Sequence, residues 1–522
     1  MIDYATMPEL VEKMRRAREA AYLPGSQKGY DKLKADGKLN ARERLDVLLD
    51  PGSFVELGRL ATSTQHEFGM DRKRVVGDGI ITGHGKIDGR MVCVYSQDSS
   101  VLGGSVGVFH GRKMTEITDL AIKCGVPIIN LMDSPGARIQ EAIGELYGPP
   151  NIFYQNVRAS GVVPQVSAVF GNVAGLVIYS AALTDFIFMV DQTSHALITG
   201  PEVIRTISGE EISMEDLAGA RVHGEKTGIA DYVATDEVDC LLAVRRFVSF
   251  LPGNNVEGSP VVDTGDTAQR RMEGINDVVP VDPGIAYDVH DLIDAFVDKG
   301  QFFEIEPDFA DELVTGFGRL DGQTVGVFAN NSLHLAGSLT VDSSDKFARF
   351  MRFCDAFNIP CILFVDVPGY FPGIDQEHRG IINHGAKVLY ALCEATVPKI
   401  SIVVRKCYGG GMLAMGGHKS LRIDQAFGWP TAELATMGAE AAVNVLYGAE
   451  IRAAENPAER REQLLAEYRE EHSNPVRAAN KRFLDDVIEP EETRIRIIQT
   501  LEMLNRKKDD PLPLKKHGNI PL

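Results

Sequence analysis

The feature that most constrains this chain is its repetition of itself. Gly83-His-Gly85 stands against Gly316-Phe-Gly318, Asp88-Gly89 against Asp321-Gly322, Gly104-Ser105 against Gly337-Ser338, Lys113 against Lys346, and Pro127 against Pro360. Asp133-Ser-Pro-Gly136 stands against Asp366-Val-Pro-Gly369, and every one of these pairs is 233 positions apart, as 133 and 366 are. One residue of slippage later, Pro164 and Gly175 match Pro398 and Gly409, 234 apart. Matches on one diagonal over such a span mark an internal duplication, so a fold open to the first half must also be open to the second. The 522 residues also exceed the roughly 250 to 300 at which one core stops growing. We expect a first domain over 1–255, a linker rich in Pro, Gly, Asn and Asp over 256–284, and a second domain over 285–522.

Each half alternates strand-like and helix-like runs. In the first, Gly79-Ile-Ile-Thr-Gly-His-Gly85 and Arg90-Met-Val-Cys-Val-Tyr95 flank Asp88-Gly89, a hairpin signal. A helical pattern through Met114, Ile117, Leu120 and Ala121 follows, then buried-strand runs at Pro127–Met132 and Val163–Phe170. This alternation predicts α/β layering. At the start of the chain, Thr6-Met-Pro-Glu9 is a capping-box pattern opening an amphipathic helix to about residue 23; glutamates interleaved among its basic residues favour a packing helix over a transit peptide. A second helix is expected at Arg42–Asp50, stopped by Pro51-Gly52.

Two kinds of strand end recur. One is the Asp-x-Pro-Gly loop; the other is a strand running into glycine, at Gly171–Leu176 and, most clearly, at Pro398–Gly411, where a β-branched run meets Gly409-Gly-Gly411. Glycine lets bare backbone N–H groups face a cleft, a device for holding a negative oxygen. Two such nests imply two oxyanions, one on each of two reactants.

Other chemistry is weaker in this sequence. Gly103-Gly-Ser-Val-Gly107 fits the nucleophile-elbow pattern and, with Asp133 and His195 or His223, would make a serine hydrolase; its counterpart Ala336-Gly-Ser-Leu-Thr340 keeps only Gly-Ser, as backbone geometry alone requires. Gly316–Gly322 sits at a hairpin, not at a helix entry, and there is no G-x-x-x-x-G-K-[ST] loop, which argues against ATP hydrolysis. Arg72-Lys-Arg74 reads as a solvated charge run before a phosphate site, and His378 and His384 as structural before acid–base groups. A net charge of −19 argues against nucleic acid or an anionic membrane as main partner. Seven cysteines without a C-x-x-C pair read as thiols of a reducing cytosol, and no apolar run reaches bilayer length.

Several long segments resemble the carboxyltransferase (β) subunit of biotin-dependent acyl-CoA carboxylases, of the propionyl-CoA carboxylase type. They are Lys38–Leu45, Asp133–Glu141, Ala182–Phe188, Phe364–Gly369, His384–Lys387, Glu394–Lys399, Trp429–Glu433 and Lys516–Leu522, and they span nearly the whole chain. The resemblance implies an α/β fold of two tandem crotonase-like ββα-spiral domains, in a homo-hexamer (a trimer of dimers) with sites between the N-domain of one subunit and the C-domain of another. Acyl-CoA would lie on the N-half and carboxybiotin on the C-half. The carboxyl group would pass from biotin to the α-carbon of the acyl-CoA, with biotin itself as base, so catalysis would consist of orientation and oxyanion stabilisation.

Carried over residue by residue, the resemblance implies that Gly136, Ala137, Gly175 and Leu176 hold the thioester oxygen and that Gly409, Gly410 and Gly411 bind biotin, with the Gly410 and Gly411 N–H groups on its oxygen. Three positions depart from the family pattern: Leu176 where a second glycine is usual, Pro135 where glycine is usual, and Leu413 at the acyl-pocket position, where propionyl-specific members often have Asp. With no Met-Lys-Met site and no ATP module, a cytoplasmic biotin carboxylase and a biotin carboxyl carrier on other polypeptides would be required, with no direct membrane insertion. Two alternatives remain: the α-subunit of a sodium-pumping methylmalonyl-CoA-type decarboxylase, and a silent CoA-binding scaffold.

Overall fold

The diagonal in the sequence is matched by a seven-strand path repeated in each half. The computed structural model describes residues 6–63, 65–72, 76–141, 151–509 and 513–521, and the chain divides into two compact units, 1–257 and 258–522.

In the first unit the strands are β1 (Val55–Leu57), β2 (Ile80–Ile87), β3 (Arg90–Gln97), β4 (Ile128–Met132), β5 (Gln165–Val169), β6 (Asn172–Ala174), β7 (Phe186–Val190), β8 (His195–Leu197) and β9 (Tyr232–Ala234). They form a seven-stranded sheet in the order β1-β2-β3-β4-β5-β7-β9, with β6 and β8 paired apart from it. The first three strands are antiparallel and the rest parallel. The second unit has β10 (Phe302–Ile305), β11 (Leu313–Leu320), β12 (Gln323–Asn330), β13 (Cys361–Val367), β14 (Lys399–Tyr408), β15 (Gln425–Gly428), β16 (Glu433–Ala435) and β17 (Asp486–Val487). Their order, β10-β11-β12-β13-β14-β15-β17 with β16 on β14, repeats the first.

Register repeats as well as order. Ile80 faces Gln97 and Cys93 faces Ile128 in the first sheet; Leu313 faces Asn330 and Gly326 faces Cys361 in the second, each residue 233 positions on. The hairpins turn at Asp88-Gly89 and Asp321-Gly322, all four with positive φ, as a two-residue turn matched to strand twist demands.

Parallel strands in the middle of a sheet are covered on both faces, and every residue of β4, β5, β7, β13 and β14 is buried. The buried lysines of the repeat serve one structural purpose: Lys113 donates to the carbonyls of Gly77 and Ile80, and Lys346 to those of Glu306 and Phe309. Burial drives the Lys113 pKa down to about 8.

The N-terminal helix is Met7–Ala20 with both arms of the expected Thr6–Glu9 capping box, and the second expected helix is Ala41–Leu48. Between them lies a helix over Gln27–Ala35 that apolar periodicity did not reveal, since Leu33 is its single buried residue. Residues 258–284 pack onto the second unit: Val261 bridges Gln323, Met272 N–H donates to Glu491, and Pro280 accepts from Arg405. The second unit also inserts a helical hairpin, Ala439–Ala453 and Pro457–Tyr468, with a small core of its own around Val443, Leu464 and Leu465. Among the described residues no helix is long and apolar enough to cross a membrane. Lys73 and Arg74 of the basic cluster lie outside the described residues.

Candidate functional site

Each unit carries one nest, built from a loop after its third long strand and a turn after its fourth. In the first unit the loop is Asp133–Arg138. Val106 N–H donates to Gly136 O at 2.8 Å and Val106 O accepts from Arg138 N–H at 2.8 Å, a parallel bridge that embraces Ala137 on either side. The N–H of Ala137 therefore points away from Val106. Gly136 makes this path possible with φ +113, and a Cβ there would lie 3.1 Å from Ala174 O. The second unit repeats the device 233 positions on: Leu339 N–H donates to Gly369 O at 3.0 Å, Leu339 O accepts from Phe371 N–H at 2.8 Å, and Tyr370 takes the place of Ala137.

The opposing turns are also equivalent. Gly175, at φ 61 and ψ −132, ends β6 and starts the helix Leu176–Ala182, which no side chain caps. Leu176, as first helical residue, has no acceptor for its N–H within the helix. In the second unit Gly409 (φ +53) opens the helix Gly409–Ala414, again without a side-chain cap. Gly411 packs so closely on the loop that a Cβ would meet Val367 Cγ2 at 2.8 Å and Gly369 Cα at 3.0 Å.

The structure sorts the expected residues by what their N–H groups do. Gly175 N–H donates to Leu197 O at 3.1 Å and Gly136 N–H to Ser134 Oγ at 3.3 Å. These two glycines set the path of the chain, while Ala137 and Leu176 present N–H groups. In the second unit Tyr370 stands at the position of Ala137 and Gly410 at that of Leu176, and the N–H groups of Gly409, Gly410 and Gly411 all lie in the first turn of their helix. Leu413, 38% exposed, follows on the same helix.

Beneath each loop lies a buried aspartate, and the two are neutralised differently. Asp133 accepts from Lys38 Nζ at 2.9 Å, Arg44 at 3.0 Å and Ser99 Oγ at 2.9 Å, and Arg44 also grips Glu237 through two contacts of 2.8 Å. Burial alone raises the Asp133 pKa, but Arg44 and Lys38 outweigh it and hold the carboxyl below its ordinary range. Asp366 takes Arg405 instead, at 2.9 and 3.1 Å, with Lys406 N–H at 3.1 Å. The first-unit counterpart of Arg405, 234 positions back, is Gly171, where a Cβ would lie 2.2 Å from the Asp133 carboxylate. A cleft of ≈ 440 Å³ opens beside this network, lined by Lys32, Lys38, Asp133, Pro135, Gly171 and Asn172 among others. The anchor residues escaped sequence reasoning, although Lys38 and Arg44 lie within the Lys38–Leu45 segment and Arg405 lies four residues before Gly409.

The serine-hydrolase arrangement is not assembled. Ser105 Oγ donates to Leu102 O, His195 pairs with Asn172 and Glu215, and His223 bonds Thr227 and Ala196 O. In the second unit, His384 is paired to Asp345 at 2.9 Å, which Lys387 also contacts.

Residues 32–520 match the family model described as carboxyl transferase domain. The chain is 48% identical over 517 residues to the propionyl-CoA carboxylase carboxyltransferase subunit of Haloferax mediterranei, covering 99% of this chain and 100% of that protein. It is 46% identical to the methylmalonyl-CoA decarboxylase subunit alpha of Veillonella parvula, with 99% and 100% covered. A crystal structure of transcarboxylase 12S, described as a hexamer assembly with methylmalonyl-coenzyme A and methylmalonic acid bound, superposes with a TM-score of 0.95 at 43% identity over 100% of both chains. The doubled sheet is thus the crotonase-like fold.

Proposed function

Because this chain belongs to the carboxyl transferase family and is a carboxyltransferase subunit of the propionyl-CoA carboxylase type, we propose that its two backbone nests divide one carboxyl transfer between them. The first nest takes the thioester oxygen of an acyl-CoA on the N–H groups of Ala137 and Leu176. The second takes the ureido oxygen of biotin on those of Tyr370 and Gly410, with Gly409 and Gly411 keeping side chains out. The observation that carries this reading is the repeated bridge, Val106 around Ala137 and Leu339 around Tyr370.

Biotin fits the second nest because its wall at Gly409–Gly411 is bare backbone, and a methyl group at Gly411 would meet Val367 and Gly369. When bound, it supplies the carboxyl group and the base. The chain's own contribution is position and fixed dipoles: each preorganised donor aimed at a developing oxyanion is worth on the order of 10² to 10³ in rate. The buried Asp133 and Asp366 networks pin the loops that aim Ala137 and Tyr370. Leu413 sets the acyl-chain preference. The biotin arrives on a separate carrier charged by a separate biotin carboxylase, in the cytoplasm, and the chain acts as a homo-hexamer; the hexameric assembly of transcarboxylase 12S supports that last step.

The test is to supply carboxybiotin, free or on a carrier, with acetyl-, propionyl- and longer acyl-CoAs, and to follow the carboxylated product and its reversal. Carboxylation that needs the carrier and carboxylase supports the reading. The Veillonella relative favours a second one, in which the same transfer runs as decarboxylation toward a membrane partner; turnover in that direction alone would select it. No exchange either way, with CoA binding intact, would leave a silent scaffold.

A further inference from the structure

The loop that carries Ala137 is held at both ends by one closed circuit of buried side chains. At its start, Asp133 N–H donates to Gln97 Oε1 at 3.0 Å, and the Gln97 amide nitrogen meets His110 Nε2 at 3.1 Å. The other ring nitrogen of His110, Nδ1, lies 3.1 Å from Asp78 O, and the His110 main-chain N–H donates to the Asp78 carboxylate at 2.9 Å. That same carboxylate accepts from Arg138, at the end of the loop, at 2.6 Å. Asp78, Gln97, His110 and Arg138 are each no more than 2% exposed, so each depends on the others for its hydrogen bonds.

Each contact leaves the next no choice. A carbonyl only accepts, so His110 Nδ1 carries the proton. Complete burial, with Arg138 and Lys113 nearby, pushes the His110 pKa well below its ordinary value, so the ring is neutral and Nε2 offers a lone pair. Gln97 must turn its NH2 group to that lone pair, which aims its oxygen at Asp133 N–H. The second unit does not repeat the circuit: Asn330 still accepts from Asp366 N–H, but its amide nitrogen goes to Gly337 O. Ser343, which accepts from Thr340 N–H, stands at the position of His110, and Phe371 at that of Arg138. We infer that His110 and Gln97 are positioning residues for the first nest alone: the fixed tautomer of His110 orients Gln97, Gln97 sets the start of the loop, and the Ala137 N–H is thereby held on its line to the thioester oxygen. The inference rests on the reading that the first nest takes that oxygen.

Isotope-edited infrared difference spectra of carbonyl-labelled propionyl-CoA, at saturation on the full chain, read this without biotin. A carbonyl held by preorganised donors is polarised, so its stretch should fall to lower wavenumber on binding the parent. In His110→Leu the Gln97 amide is free to turn over, and the band is expected to return toward its position in water. The kcat for carboxyl transfer to propionyl-CoA should fall about tenfold, short of the loss on the order of 10² for a removed donor, with KM for carboxybiotin within about twofold of the parent. His110→Gln, whose amide oxygen can stand where Nε2 stands, is expected to recover most of the displacement. Ile117→Val, a buried change on the same helix, Val108–Cys124, outside the circuit, controls for lost packing and should keep the parental band. A His110→Leu band as displaced as the parent's overturns the relay. So does a His110→Gln band that stays with His110→Leu, which would assign the effect to ring volume, or an Ile117→Val band that moves as far, which would assign it to general loosening. A parental band that binding leaves in place overturns the assignment of the first nest as well.

Discussion

Gly410 and Gly411 are adjacent glycines with unequal surroundings, and the difference yields a quantitative expectation. A Cβ on Gly411 would sit 2.8 Å from Val367 Cγ2 and 3.0 Å from Gly369 Cα, against about 3.5 to 4.0 Å for an ordinary carbon contact. Something must therefore move by roughly 0.5 to 1 Å. Val367 is fully buried, β-branched, and paired to Cys407 across the sheet, so it cannot rotate away. The turn Gly409–Gly411 moves instead and carries the Gly410 N–H with it. For Gly411→Ala we expect a stability loss of about 1 to 3 kcal/mol from overpacking and a fall in kcat on the order of 10² from a displacement of that size. KM for acyl-CoA should hold, because the first nest is untouched.

Gly410→Ala meets only Tyr370, at 3.6 Å and beyond, so its stability should stay within about 0.5 kcal/mol of the parent. The transfer assay gives kcat and KM. Thermal unfolding followed by Trp429, the one tryptophan in the chain, gives the stability of the second unit. A Gly411→Ala protein with parental kcat, or a Gly410→Ala protein destabilised as much as Gly411→Ala, would refute the claim that close packing on Gly369 sets the donor.

Two further expectations concern the first unit and the acyl pocket. Arg44→Met strips Asp133 and Glu237 of a shared buried cation and should cost about 3 to 5 kcal/mol, read by circular dichroism during thermal unfolding. The Asp133 pKa is lower in the folded chain than in the unfolded one, so its contribution is fully present above the ordinary carboxylate range. That contribution is lost as pH falls through the folded value, because the unfolded chain then binds the extra proton; in Arg44→Met this acid limb should move to higher pH, and an unmoved limb would remove Arg44 as the main counter-ion. Leu413→Ala should raise the ratio of kcat/KM for butyryl-CoA over propionyl-CoA by about tenfold, the scale of one methylene in a pocket. An unchanged ratio would place chain-length selection elsewhere.

The sequence disclosed the frame more fully than the wiring, for a physical reason. Strand register and hairpin turns depend on residues close in sequence, and Asp88-Gly89, Asp321-Gly322 and the two Asp-x-Pro-Gly loops carry their constraints locally. The helix Gln27–Ala35 lacked a periodic apolar face and so gave no signal. The fate of a single N–H is not a local property: nothing near Gly175 announces that its donor is taken by Leu197. The counter-ions of Asp133 were hidden for the same reason, since Lys38 and Arg44 lie 95 and 89 residues away. Gly171 and Arg405 stand at equivalent positions of the two copies, and the contacts show the difference between them to be a relocated charge.

That relocation gives the two halves different dependencies on the rest of the polypeptide. Arg405 arises from the strand that delivers the second nest, so Asp366 meets its counter-ion as soon as neighbouring strands zip together. Asp133 must recruit Lys38 and Arg44 from well upstream, and Arg44 in turn is clamped by Glu237, near the end of the unit. During synthesis the first nest can therefore be completed only after almost the whole first unit has emerged, whereas the second nest has its charge supplied locally. Damage confined to residues 38–44 should consequently silence the thioester side and leave the biotin side competent, a lesion in one copy that the other copy does not share.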